Sequence, residues 1–154
     1  MAEKEVFTKE EAEEEVRKMA RLTGLMFYHF ASLLQEKFGE KTGKEIVKEA
    51  VKRFGLERGS KVREEVLKRG LKLNLENFGK FSDLPKIGWG GSKRETYCPL
   101  AESWIAKGAE ELCKTYCEVD FWKIKGYNPR IKTKRIKWIL EGDNSCEYEM
   151  EEDA

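Results

Sequence analysis

Four cysteines and one aspartate carry the densest chemistry in this chain. Cys98, Cys113 and Cys117 lie in one stretch that ends at Asp120, and Cys146 follows near the C-terminus. Residues four apart on a helix are neighbours, so a helical reading puts Cys113 and Cys117 side by side and Asp120 further along the same face. Three chemistries are open. Zinc takes thiolates in tetrahedral sets, so Cys98, Cys117, Cys146 and Cys113 form a candidate metal set, and four cysteines also suffice for an iron–sulfur cluster. The spacing C-x14-C-x3-C-x28-C matches no zinc-ribbon or ferredoxin pattern, however. A thiolate nucleophile is the second chemistry. Cys98 is best placed for it, just before Pro99 at the expected start of a helix. In the third reading the thiols fill the core as small apolar groups, and no cofactor is needed.

Other candidates lie apart in sequence. His29, the single histidine, sits in Phe27-Tyr28-His29-Phe30. It reads as a general base or as a hydrogen-bonded core residue. Glu57 and Arg58 stand between Gly55 and Gly59. They are solvated helix residues or, exposed by those glycines, groups facing a cleft. Tyr127 and Asn128 follow a helix end, where they act as a turn cap or as a polar pocket wall.

The elements that must position these groups are legible as patterns. Thr8 and Glu11 make a capping box, and apolar residues at helical spacing run from Val16 to Phe38. Its middle, Leu22 to Leu34, is apolar nearly all round, which predicts a central buried helix, and Gly24 would admit a close neighbour. Gly39 reads as its C-cap. Thr42 and Glu45 repeat the capping-box pattern before a second helix, which Gly55 and Gly59 either bend or let pack closely. Asn74 caps a short helix to Phe81. Residues 82–97 read as a loop, with Ile87 and Trp89 as apolar plugs and a substrate lid as its functional alternative. Leu100 to about Ile124 is helical, with a break at Gly108. Ile131 to Leu140 reads as a strand with Ile136, Trp138 and Leu140 on one face, and Glu141–Asn144 as a turn. Cys146, Tyr148 and Met150 alternate with polar residues as an inward strand face. Lys93–Tyr97 is a candidate third strand, and 149–154 a frayed acidic tail. The fold class is α+β: long N-terminal helices packed with a C-terminal helix and a small antiparallel sheet, in a single domain 1–154.

Composition narrows the partners. Lys and Arg number 30 against 29 Asp and Glu, a net charge of +1, which speaks against a nucleic-acid binder. The Glu- and Lys-rich usage with a lone glutamine, Gln35, is thermophile-like. The acidic N-terminus has no signal-peptide pattern, and no stretch reaches the ~20 apolar residues of a membrane span. The expectation is a cytoplasmic protein with a small-molecule ligand or substrate and no membrane partner. A homodimer is left open.

Taken together, several short elements resemble the L-2-amino-thiazoline-4-carboxylic acid hydrolase family. They are Phe54-Gly55-Leu56-Glu57-Arg58-Gly59, Gly70-Leu71-Lys72-Leu73, Leu75-Glu76-Asn77-Phe78, Cys98-Pro99-Leu100, Tyr116-Cys117-Glu118-Val119-Asp120, Gly126-Tyr127-Asn128 and Gly142-Asp143-Asn144-Ser145-Cys146. The resemblance covers about Phe27 to Met150. It implies hydrolytic opening of a thiazoline ring to a carbamoyl-cysteine. The C-terminal half is also similar to vinyl-reductase-type small-molecule sensor domains, whose cysteines can hold zinc. Cys98, Cys117 and Cys146 fit the shared pattern, and Cys113 does not belong to it. For ring opening, Asp120 would pair with the 2-amino group and Arg58 with the substrate carboxylate. Cys98 or Cys117 would attack C2 or bind a metal that activates water. The alternative is a non-enzymatic binding domain with a cysteine-ligated zinc or iron–sulfur site.

Overall fold

Thr8 starts the first helix as its pattern requires. Its hydroxyl accepts from the Glu11 backbone N–H, and the Glu11 carboxylate accepts from the Thr8 N–H, an arrangement worth about 1 kcal/mol. The computed structural model describes residues 6–89 and 94–152. Helix α1 runs Lys9–Phe38 and ends at Gly39, whose positive φ of 82° suits a residue without a Cβ. The same glycine precedes α2 (Glu40–Lys68). The second helix therefore starts two residues before Thr42, and the expected Thr42–Glu45 capping box does not form. Helix α3 (Leu75–Lys80) is capped by the Asn74 side chain, as expected.

Gly55 and Gly59 let α2 pack closely and do not bend it. Both are buried, and α6 (Val119–Tyr127) crosses directly over them. A Cβ on Gly59 would sit 2.0 Å from the Lys123 carbonyl oxygen, and one on Gly55 2.5 Å from Trp122 Cβ. From the other helix, a Cβ on Gly126 would meet the Leu56 carbonyl oxygen at 2.4 Å. The backbones approach because no side chain stands between them. Val62, Val66, Ile124, Tyr127 and Ile131 form the core at one end of this crossing. Gly24 likewise admits α4 (Pro99–Ile105): its Cβ would lie 3.2 Å from Leu100 Cα. Trp104 on α4 is fully buried and donates its indole N–H to the Gly24 carbonyl at 2.8 Å.

Three expectations need correction here. Helix α1 is not buried all round: Leu22, Met26, Phe30 and Leu33 are exposed, because α4 and α2 cover only its other side. The stretch 100–124 breaks at Gly108 as expected, with φ 60°, but it breaks a second time: between α5 (Glu110–Cys113) and α6 the residues Lys114–Glu118 wind as a 3-10 helix. Cys113 and Cys117 therefore do not share one α-helical face, since a 3-10 turn advances more steeply per residue.

The third correction concerns the sheet, a three-stranded antiparallel one ordered β1 (Arg94–Glu95), β3 (Cys146–Glu152), β2 (Ile131–Lys137). On β2 the inward residues are Ile131, Thr133 and Arg135, while Ile136 is 55% exposed. A register shift between Arg135 and Lys137 ends the alternation, and the chain enters a 3-10 turn at Ile139 that buries Leu140. Ile136, Trp138 and Leu140 thus share no face. The turn at Gly142 forms as expected, with φ 92°. Glu149 to Glu152 pair with β2 and do not fray. Gly90 to Lys93 of the expected loop and third strand lie outside the described residues, as do Asp153 and Ala154.

Candidate active site

Asp120 stands in the first turn of α6, half-buried, facing the hairpin. Tyr148 on β3 donates its hydroxyl hydrogen to Asp120 Oδ2 at 2.8 Å. Burial first, then the Asp120 charge, push the Tyr148 hydroxyl far above the ordinary tyrosine range, so it stays a protonated donor. Arg135 on β2 reaches Tyr148 and the backbone just before α6. Its Nη2 donates to the Cys117 carbonyl at 2.6 Å, and its Nε lies 3.4 Å from the Tyr148 hydroxyl oxygen. Its guanidinium lies 4.2 Å from the Trp138 ring centroid and 4.9 Å from that of Phe121. Burial works against the Arg135 charge, but its electrostatic partners outweigh that cost.

Arg58 comes to the site from α2, where the close crossing brings α6 alongside. It does not point to open solvent. It forks onto Asp83 of the loop after α3, Nε to Oδ2 at 2.6 Å and Nη2 to Oδ1 at 2.9 Å. Lys123 of α6, only 3% exposed, shares that carboxylate and also donates to Ser82 Oγ at 2.9 Å. Burial would raise the Asp83 pKa, but Arg58 and Lys123 together bring it down to about 2. From the other end the same contact looks different. Burial pulls the Lys123 ammonium below its ordinary range, Asp83 offsets only part of this, and the like charge of Arg58 adds to the lowering. Asp120 acts on Arg58 and Lys123 electrostatically, so the two charge groups form one neighbourhood.

The thiols divide. Cys98 is the N-cap of α4 with Pro99 at the first helical position, as expected. Cys117 lies in the 3-10 segment within electrostatic reach of Cys98 and Asp120. Burial first, then those two groups, push its thiol well above the ordinary range. The Trp138 indole N–H favours the opposite direction, yet it completes no hydrogen bond with any described residue and remains a buried unsatisfied donor. Tyr116 feels Arg58, Asp120, Cys117 and Cys98, with burial the leading influence, and its hydroxyl is also raised. Cys113 is fully buried with Trp104, Ala109 and Leu140, and burial followed by Glu110 pushes it up to about 12. Cys146, buried on β3, accepts from the Ile139 N–H at 3.5 Å. All four cysteines carry thiols, with no disulfide. Among the described residues no three His, Cys, Asp or Glu side chains meet in a group able to hold a metal ion. The donor set expected for zinc or an iron–sulfur cluster is thus not assembled there.

The remaining candidates fall elsewhere. Glu57 is exposed and pairs with Lys61 at 2.5 Å along α2. His29 is exposed on α1, edge-on to Tyr28, so it is no buried core residue. Tyr127 is fully buried and donates to the Asn74 carbonyl at 2.9 Å, and Asn128 Nδ2 donates to the Leu73 carbonyl at 2.8 Å. Both fasten the end of α6 to the start of α3. A 590 Å³ groove between α1 and residues 107–112 is lined by Tyr28, Ser32, Lys107, Glu110, Leu112 and Leu140, and none of Asp120, Tyr148, Arg58 or Cys117 lines it. Arg135, Tyr148, Tyr116, Lys123 and Asp83 were not among the candidates read from the sequence. Strict alternation from Ile131 would have turned Arg135 inward, and the alternation already read on β3 did the same for Tyr148.

The class is therefore an α+β chain in which a helix crossing and a hairpin bring together two carboxylates, two tyrosines, two thiols and three cations. A family model described as L-2-amino-thiazoline-4-carboxylic acid hydrolase matches residues 17–150. The chain belongs to that family, as the short elements predicted. No curated protein and no solved structure gives a match. No helix among the described residues is long and apolar enough to cross a membrane.

Proposed function

We propose that the chain hydrolyses a small cyclic amidine bearing a carboxylate, with L-2-amino-thiazoline-4-carboxylate as the substrate that the family description supports. The observation that carries this is Asp120, fixed by Tyr148 in a half-buried site with Arg58 and Lys123 nearby. One anion flanked by cations matches a ligand whose amidine end is positive and whose other end is a carboxylate.

In this reading Asp120 is the catalytic carboxylate. Its Oδ2 is occupied by Tyr148, and Oδ1 takes the 2-amino group and the attacking water. The water oxygen bonds to C2 and the C2–S bond breaks. One water proton ends on the ring nitrogen and the other on the released sulfur, which gives N-carbamoyl-cysteine with a new thiol. Arg58 receives the substrate carboxylate in exchange for Asp83, whose own carboxylate fills the same fork. Water takes the place of Cys117 as nucleophile in this reading, since the raised Cys117 thiol leaves little thiolate near neutral pH. Cys98 and Cys117 stand near Asp120 and take no covalent part in this reading.

Incubating the purified protein with the thiazoline and titrating new thiol tests this. Release above the spontaneous rate supports it, and release at the spontaneous rate overturns it.

A further inference from the structure

Helix α1 carries a stripe that its own fold leaves uncovered. Met19, Leu22, Met26, Phe30 and Leu33 are 64, 59, 56, 61 and 50% exposed. Their spacing of three or four residues holds them on one side of the helix. The small buried residues Ala20, Gly24 and Ala31 take the opposite side, against the rest of the chain. The stripe is about 21 Å long at 1.5 Å per residue. Side chains of this size present on the order of 200 Å² each when free, so the five leave roughly 600 Å² in water, at the upper end of what a monomer exposes in one patch. With its polar flanks that approaches the ~800 Å² per partner of a standard interface.

We propose that this stripe is a two-fold interface between two copies of the chain, with α1 lying antiparallel to its symmetry mate and Met26 on the axis. The sequence is self-complementary about that point. Reversal about Met26 sets Leu22 against Phe30, Met19 against Leu33 and Thr23 against His29. Continued outward, it sets Glu15 against Lys37, both exposed and on the line of the stripe. A two-fold interface requires this reciprocity, because the residue that contacts a partner position must be contacted by it in return. Glu15 pairs with Lys18 of its own helix at 2.6 Å, but both side chains are more than half exposed, so the carboxylate can be shared cheaply. The acidic start of the helix, Glu10, Glu11 and Glu15, disfavours an anionic lipid surface as the occupant.

Sedimentation velocity on the full chain over a concentration series tests the proposal. A dimer is expected, and Met26→Glu should give a monomer with unchanged helical circular dichroism, since Met26 is more than half exposed on its own chain, and with a thermal midpoint at or somewhat below that of wild type because the contribution of association is lost. Glu15→Lys and Lys37→Glu should each raise the dimer Kd about fivefold or more, and the double exchange should bring it back. A wild-type monomer at every concentration, with or without binding to lipid vesicles, overturns the interface. A dimer indifferent to Met26→Glu overturns it as well. Failure of the double exchange to restore association overturns the antiparallel pairing about Met26.

Discussion

Tyr148 on the hairpin and Asp120 on α6 are joined by a 2.8 Å hydrogen bond that ties the sheet to the helix crossing. The phenol stays protonated and donates to Asp120, because burial and the carboxylate both oppose its ionisation, while its oxygen accepts from Arg135 Nε. Asp120 is thereby oriented before any ligand arrives.

Tyr148→Phe removes that donor and leaves the ring in place. Turnover should fall about tenfold, as expected when a positioned proton partner is loosened. Stability should fall by about 1.5–3 kcal/mol, because the lost hydroxyl bonds a carboxylate and a guanidinium. Steady-state kinetics beside urea unfolding separate the two. Equal turnover in the variant would mean that Tyr148 does not position Asp120.

Gly59→Ala should destabilise the fold by about 2 kcal/mol or more, because its Cβ would overlap the Lys123 carbonyl and force two backbones apart. Gly79→Ala in α3 meets nothing within 4 Å and should be neutral or stabilising by up to ~1 kcal/mol. Urea midpoints of the pair measure the contrast.

That crossing marks how far the sequence could be read. The capping box at Thr8, the stop at Gly39, the Asn74 cap and the turn at Gly142 are local, so residue type alone revealed them. Gly55 and Gly59 announced a special contact without naming α6 as the partner, because a close approach belongs to two segments at once. Arg135 was hidden by a register shift that spoiled the alternation after it, and Ile136 drew the reading to the wrong face. The buried expectation for α1 failed for a different reason: apolar residues all round a helix do not say which side the rest of the chain covers. Cys98, Cys117 and Asp120 were picked out as candidates, but Asp83 and Lys123 look like ordinary surface charges until the fold brings them to Arg58.

Asp83 should shape the acid limb of stability. Its pKa is held near 2 in the folded chain, below the ordinary value of about 4. A depressed carboxyl contributes fully above its unfolded pKa, and that contribution is lost as pH falls through the folded one. The loss attributable to Asp83 should therefore fall between about pH 4 and pH 2. It should vanish from that window in Asp83→Asn, with solvent screening keeping it modest. Denaturant midpoints across the range report it. An identical slope in the variant would contradict the assignment.

Cys117 should behave as a neutral thiol. At neutral pH it should react slowly with iodoacetamide in the native protein and quickly in urea, as peptide mass spectrometry would show. Cys117→Ala should keep turnover within about tenfold of wild type, whereas loss of a nucleophile would cost several orders of magnitude.

The most direct test of the central claim is the ring-opening rate of L-2-amino-thiazoline-4-carboxylate with wild type and Asp120→Asn, whose folding is checked by circular dichroism. New thiol and N-carbamoyl-cysteine are expected with wild type, and a kcat at least about a hundredfold lower in the folded variant. Wild type at the spontaneous rate, or equal turnover in Asp120→Asn, would contradict that claim.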